Sequence, residues 1–193
     1  MSFIRGCNNL EQRPLNIHQD IIDRCLAGDR LAQYELYKLY CKSMYNTSYR
    51  VLKNSEDAED VLQEAFVSAF KNLPRYEGTS TFGAWLKRIV INKSLNLLKK
   101  RQPDIIIGED LPDVVDSWSV ESNIIDLISV DRVKRAIDLL PDGYRVVFSL
   151  YLLEGYDHGE IATILGITES TSKSQFNRSK KKLREILGKE VSK

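Results

Sequence analysis

Residues 170–182 carry the side chains needed to grip a polyanion and to read hydrogen-bonding edges. With successive residues set about 100° apart, Ser170, Thr171, Ser174, Arg178 and Lys181 share one face, flanked by Lys173, Asn177 and Lys182. Short donors come first and cations follow. That order suits a helix whose first turns meet base edges in a major groove while its later turns meet phosphates. A second set, Trp85, Arg88, Asn92, Asn96 and Lys99, falls within about 80° on another helix. Aromatic, guanidinium and amide groups in one row can stack on unpaired bases, pair with their edges and hold the backbone, which favours single-stranded over duplex DNA. A third set is acidic: Glu56, Asp57, Glu59, Asp60, Gln63 and Glu64 crowd the start and outer face of one helix. Each set also has a plain structural reading. The first is then a solvated helix closing a bundle and the second a half-buried Trp beside solvated polar groups. Several of the acids complement a helix N-terminus, worth about 0.3 to 1 kcal/mol each, although that effect does not account for Gln63 and Glu64.

The elements that position these sets are helical throughout. Asp157 with Glu160 forms a capping box, Ile161, Ala162 and Leu165 make an apolar face, and Gly166 supplies a left-handed stop. Ile167 plugs the turn and Thr168 caps the next helix, whose inner face holds Phe176, Leu183 and Leu187 with the small Ser172 and Ser179. This is a helix-turn-helix. Upstream, Ala58, Val61, Leu62, Ala65, Phe66, Ala69, Phe70 and Leu73 form an unbroken apolar face in a helix opened by Ser55 and stopped by Pro74. A loop, RYEGTST, leads to TFGAWLKRIVINKSLNLLKKR, with Phe82, Leu86, Ile89, Val90 and Leu97 facing inward. Earlier still, Ile21, Ile22 and Cys25 share a face, Gly28 interrupts it, and Leu31, Leu36, Leu39 and Tyr40 resume it. Tyr34, Tyr37, Tyr40, Tyr45 and Tyr49 recur along a helix reaching Leu52 and read as packing. Residues 1–16 lack any period. So do residues 102–121, with Pro103, Gly108 and Pro112, before helical spacing returns over residues 122–140. Pro141 and Asp142 begin a further helix bearing Val147, Phe148 and Tyr151, which Gly155 ends. The expected fold is all-α: two small helical domains, residues 17–101 and 122–190, joined by a flexible acidic linker at 102–121. The C-terminal domain is a four-helix module containing the helix-turn-helix.

Charge follows the same division. Net charge is +1 over 193 residues, yet residues 85–101 hold six cations and no acid, and residues 102–130 hold seven acids and no cation. Two basic segments around an acidic one suggest two nucleic-acid-facing modules joined by a connector kept off DNA by its own charge. Cys7, Cys25 and Cys41 form no CxxC pair, so neither a disulfide framework nor a zinc site is expected. The two histidines, His18 and His158, have no nucleophile or metal-ligand pattern around them, and no phosphate-cradling glycine loop occurs. An enzyme, a cofactor and a metal are therefore not expected. Without a long apolar run or a signal-peptide core, a cytoplasmic location is expected.

Three stretches resemble the extracytoplasmic-function sigma factors, the small two-domain promoter-recognition subunits of bacterial RNA polymerase. They are DAEDVLQEAF, RYEGTSTFGAWLKRIVINKSLNLLKKR, and LPDGYRVVFSLYLLEGYDHGEIATILGITESTSKSQFNRSKKKL. The resemblance covers most of the chain from about residue 17 and implies a role for each set of residues. Asp57, Asp60, Gln63 and Glu64 match the helix that grips the clamp of the polymerase largest subunit. Phe82, Trp85, Lys87, Arg88, Asn92, Asn96 and Lys99, with the loop at residues 77–81, match the part that melts and holds the nontemplate strand of the downstream promoter element. Ser170, Thr171, Lys173, Ser174, Asn177, Arg178, Lys181 and Lys182 match the reader of the upstream element. The implied partners are polymerase core, through clamp and flap region, promoter DNA and an anti-sigma factor. Three positions depart from the family pattern: Ser172 replaces an apolar residue, Gln175 a basic one, and Asn177 stands where an aromatic residue is frequent. The rival reading is a free-standing helix-turn-helix regulator that acts without polymerase, which leaves the acidic helix and the Trp85 stripe unexplained.

Overall fold

A computed structural model describes residues 17–101 and 129–191. Two all-helical bodies result. The first contains α1 (Gln19–Leu26), α2 (Arg30–Leu52), α3 (Ser55–Asn72), a 3₁₀ turn (Leu73–Arg75) and α4 (Phe82–Arg101). The second contains α5 (Val130–Asp138), α6 (Asp142–Phe148), which runs into a π turn (Ser149–Leu153), then α7 (His158–Leu165) and α8 (Glu169–Val191). The linker expected at residues 102–121, and the helical spacing over residues 122–128, lie outside the described residues.

In the first body α2, α3 and α4 pack pairwise around Leu36, Met44, Val61, Phe66, Leu86 and Val90. The apolar face of α3 is buried as its spacing predicts, with Phe70 only partly covered. Small groups bring α2 and α4 close together. Ser48 Oγ lies 2.9 Å from Ser94 Oγ, which donates to Val90 O at 2.8 Å, so two buried hydroxyls satisfy each other and the helix backbone. A Cβ on Gly83 would stand 2.9 Å from the Tyr40 ring, so a side chain there would force Tyr40 to move. Asp29 caps α2 by accepting from Leu31 N and Ala32 N, and Asn54 caps α3 by accepting from Asp57 N. Three residues expected to pack do not: Leu31, Tyr34 and Leu39 are 70%, 60% and 49% exposed, while Ala32 and Met44 are buried in α2. A helix packed on α3 and α4 at once buries a stripe that drifts around it, so its apolar and buried positions coincide only in part.

The helix-turn-helix forms as read. Asp157 Oδ1 accepts from Glu160 N at 2.8 Å, and Glu160 Oε2 accepts from Asp157 N at 2.9 Å, closing the capping box on α7. Gly166 adopts φ +72°, and its N–H and that of Ile167 both reach Ala162 O. Thr168 Oγ1 accepts from Thr171 N at 3.0 Å and so caps α8. His158 then ties the two helices together. Its Nδ1 lies 2.9 Å from Ser172 Oγ, and its ring stacks on Tyr151 at 4.5 Å between centroids. Ser172, the departure at an ordinarily apolar position, is thus a fully buried hydroxyl with a partner on the preceding helix.

The bodies also touch. Arg145 of α6 is fully buried and donates from Nε to Arg50 O at 3.2 Å and from Nη2 to Val51 O at 3.1 Å. These are carbonyls of the last turn of α2, which have no partner within their own helix. Lys53, in the left-handed conformation beyond that helix, donates to Asp138 O.

Removing the capping carboxylate, Asp157→Ala, should lower the unfolding free energy by about 1 kcal/mol, seen as a lower urea midpoint with an unchanged slope. Burial, with Lys173 nearby, holds the His158 imidazole below its ordinary pKa. A lowered folded-state pKa means the neutral ring is favoured on folding. Stability should hold above about pH 6.5, the unfolded imidazole value, and fall as pH drops through and below it. His158→Phe should flatten that part of the profile when urea midpoints are compared at about pH 7.5 and about pH 5.5.

Candidate nucleic-acid and polymerase interface

The outer face of α4 presents the expected row. Arg88, Asn92, Asn96 and Lys99 are all exposed, at spacings of three or four residues that place them along one side of the helix. Trp85 heads the row, partly exposed, with its ring 5.1 Å from Tyr76 and 5.7 Å from Phe82. Tyr76 in turn stands edge-on to Phe82 and donates its hydroxyl to Ser80 O, which closes the loop before α4. The indole is thus braced by two rings and stays partly exposed. Phe82 itself is 0% exposed, so its inclusion among DNA-contacting residues is corrected: it is core, and it supports Trp85. Lys87 is partly covered because its Nζ pairs with Glu154 Oε2 of the second body at 2.9 Å.

On α3, Asp60, Gln63 and Glu64 are exposed along the outer face, and Glu64 accepts from Lys93 Nζ at 3.1 Å. Asp57 differs. It is 6% exposed, and both its oxygens are held by the two terminal nitrogens of Arg101, so it ties the ends of α3 and α4 together and does not project. Its expected place in a docking face is corrected accordingly. Val67, 68% exposed, continues the row from Asp60, Gln63 and Glu64. Sequence reading passed over it, although an apolar residue three and four positions after two exposed polar ones was the available signal.

On α8, Ser170, Lys173, Asn177 and Lys181 are exposed and Arg178 and Lys182 partly so. Lys173 pairs with Glu169 one turn back at 2.6 Å, and Lys182 with Glu185 at 3.1 Å. Thr171 and Ser174, expected on the open face, are only 4% and 8% exposed. The buried sector is wider in the first turns of α8 than further along: Thr171, Ser172, Ser174, Gln175 and Phe176 are all buried there, whereas Leu183 and Leu187 are partly exposed. Thr171 Oγ1 also lies 2.7 Å from Thr168 Oγ1, which commits its hydroxyl to the helix cap. Of the expected reading residues, those open on α8 are therefore an amide and cations, with one serine at the start.

Among the described residues no cluster of His, Cys, Asp or Glu is placed to hold a metal ion, and no helix is long and apolar enough to cross a membrane.

Comparison with known proteins agrees with this layout. Residues 36–103 match the family model for sigma-70 region 2, and residues 131–183 match that for sigma-70 region 4. The ECF RNA polymerase sigma factor SigW of Bacillus subtilis is 29% identical over 170 residues, covering 83% of this chain and 91% of its own. The ECF RNA polymerase sigma factor SigM of Mycobacterium tuberculosis is 30% identical over 165 residues, covering 84% and 81%. The fold resembles the sigma factor RpoE of Bartonella quintana, solved in complex with the anti-sigma factor NepR, with a TM-score of 0.55 at 21% identity over 80% of this chain and 96% of that one. With both regions present in order on an all-helical scaffold, the chain belongs to the ECF RNA polymerase sigma factors of the sigma-70 family, and it is a promoter-directing subunit of RNA polymerase, not an enzyme.

Proposed function

We infer that the three outer faces divide the work of initiation. Residues 17–101 form the unit that docks on polymerase core and opens the downstream element. Residues 122–190 form the unit that reads the upstream element, and residues 102–121 connect them. On α3, Asp60, Gln63 and Glu64, with Val67 beside them, dock on the largest-subunit clamp: the carboxylates meet a basic partner and the exposed valine supplies apolar contact. On α4, Arg88, Asn92, Asn96 and Lys99 hold the nontemplate strand below Trp85, and Lys87 joins them through the phosphate backbone. On α8, Ser170, Lys173, Asn177, Arg178, Lys181 and Lys182 meet the upstream duplex, while the second unit reaches the flap region. Asp57, Phe82, Thr171 and Ser174 support these faces from within.

One observation carries the reading: a braced, partly exposed indole stands at the head of an exposed row of guanidinium, amide and ammonium groups. Duplex DNA offers no base face to stack on, whereas an extruded base does, so this row becomes useful once strands separate. The exposed docking and DNA faces also suit control by an anti-sigma factor that covers them. The complex recorded for the Bartonella sigma factor supports that expectation. Action on promoter DNA places the protein in the cytoplasm.

Trp85→Ala and Asn92→Ala should impair promoter opening more than closed-complex formation, since stacking worth about 1 to 3 kcal/mol per base exists only after melting. A premelted template removes the opening cost and still demands the contacts, so it should rescue in part. Equal open-complex yields for wild type and variants on paired template would remove the Trp85 row from the mechanism. Arg178→Ala should weaken upstream-element binding by holoenzyme by about 1 to 3 kcal/mol if the guanidinium reads a base, with the thermal melt unchanged. Unchanged footprinting of the upstream element would place the reading face elsewhere on α8.

A further inference from the structure

The aromatic series of α2 divides in two, and only part of it packs. Tyr37 stands edge-on to Phe66 at 4.8 Å and Tyr40 to Phe82 at 5.3 Å, so both serve the core. Tyr34 is 60% exposed, and Tyr45 and Tyr49 are partly so. With residues set about 100° apart, these three share a sector of about 80° with Leu31, Lys38 and Lys42. The sector lies opposite the buried positions Leu36, Thr47 and Val51, so it points away from α3 and α4. It contains no acid, and Glu35 at its edge is held by Arg24 at 3.0 Å. Both lysines are exposed, and among the described residues neither meets a carboxylate. Lysines elsewhere differ: Lys93, Lys173 and Lys182 each pair with an acid. The rings are placed beside the charges. Lys38 Nζ stands over the Tyr34 ring at 5.4 Å, and the Tyr45 and Tyr49 rings are 6.1 Å apart with 20° between their planes.

We propose that this outer face of α2 is a further DNA-binding surface, which takes a single strand of melted promoter DNA with its phosphates on Lys38 and Lys42 and its bases against Tyr34, Tyr45 and Tyr49. Charge and shape both select that ligand. The two lysines stand one helical turn apart, a rise of about 6 Å, which consecutive phosphates of one strand can span. With no carboxylate competing for them, a polyanion displaces only water and counterions. The ring faces beside them offer stacking to unpaired bases, which an acidic polypeptide cannot use and a closed duplex does not present. The surface is separate from the row on α4, because helices packed around one core turn their outer faces apart. The proposal therefore stands without the assignment of Trp85 and its neighbours.

The test uses holoenzyme on a premelted promoter, with affinity measured over a range of salt concentrations. The double substitution Lys38→Gln with Lys42→Gln should lower the slope of log affinity against log salt by about 0.7 for each phosphate released. Tyr34→Ala should weaken binding about fivefold, whereas Tyr34→Phe should not, since the phenyl ring stacks as the phenol does. These three side chains are exposed, so circular dichroism should show the wild-type fold in every variant. A photocrosslinking residue at position 38 should label DNA in the open complex. Label on protein alone gives the face to an acidic partner and overturns the proposal, as does an unchanged salt slope. Equal effects of Tyr34→Ala and Tyr34→Phe overturn the stacking, and with it the choice of a single strand. Trp85→Ala on the same template reports on the α4 row by itself, so failure of that row is distinguished from failure of this one.

Discussion

Burial of one stripe on each of three helices is the constraint from which the functional faces follow. On α4, Phe82, Leu86, Val90, Ile91, Leu95 and Leu98 are almost wholly withdrawn from water, each large side chain contributing on the order of 1.5 to 3 kcal/mol. With that stripe committed to α2 and α3, the helix cannot rotate, and Arg88, Asn92, Asn96 and Lys99 are held outward. The same packing holds Asp60, Gln63 and Glu64 outward on α3. The outer faces of α3 and α4 are thereby fixed relative to each other by a single core, with no hinge between them.

The second body buries fewer apolar side chains. Its last helix, α8, is oriented by the capping box at Asp157, the left-handed Gly166, the Thr168 cap and the buried His158 to Ser172 contact. Ser172 is instructive. In place of an apolar contact the chain uses a hydroxyl and an imidazole that satisfy each other, and directional bonds of this kind fix the rotation of α8 about its axis more narrowly than dispersion does. The direction in which Lys173, Asn177 and Arg178 project depends on that rotation.

Much of this was legible in the sequence because it is local. The caps of α7 and α8, the stop at Gly166 and the apolar spacing on α3 and α7 are determined within a few residues, and the structure reproduces them. The misplacements occurred where a distant partner decides. Asp57 reads as a projecting acid until Arg101, 44 residues away, folds back onto it. Helical spacing already places Phe82 facing inward, where Tyr40 and Tyr76 enclose it, and only the family resemblance sets it among DNA contacts. Thr171 and Ser174 fall on the polar side of an ideal wheel, yet the first turns of α8 are buried over a wider sector than the wheel assumes. The contacts of Arg145 and Glu154 with α2 span 95 and 104 residues, beyond the reach of any periodicity argument. Burial of an arginine is the kind of event composition never signals, since that residue is nearly always exposed.

The central claim is that the α3 and α4 outer faces meet different partners at the same moment, polymerase on one and the nontemplate strand on the other. Site-specific photocrosslinking within the open promoter complex tests this directly, with the crosslinking residue placed in turn at Asn96 of α4 and at Val67 of α3. The account predicts that the probe at position 96 labels the nontemplate strand and the probe at position 67 labels the polymerase largest subunit. A position-96 probe that labels only protein, or a position-67 probe that labels DNA, would contradict it.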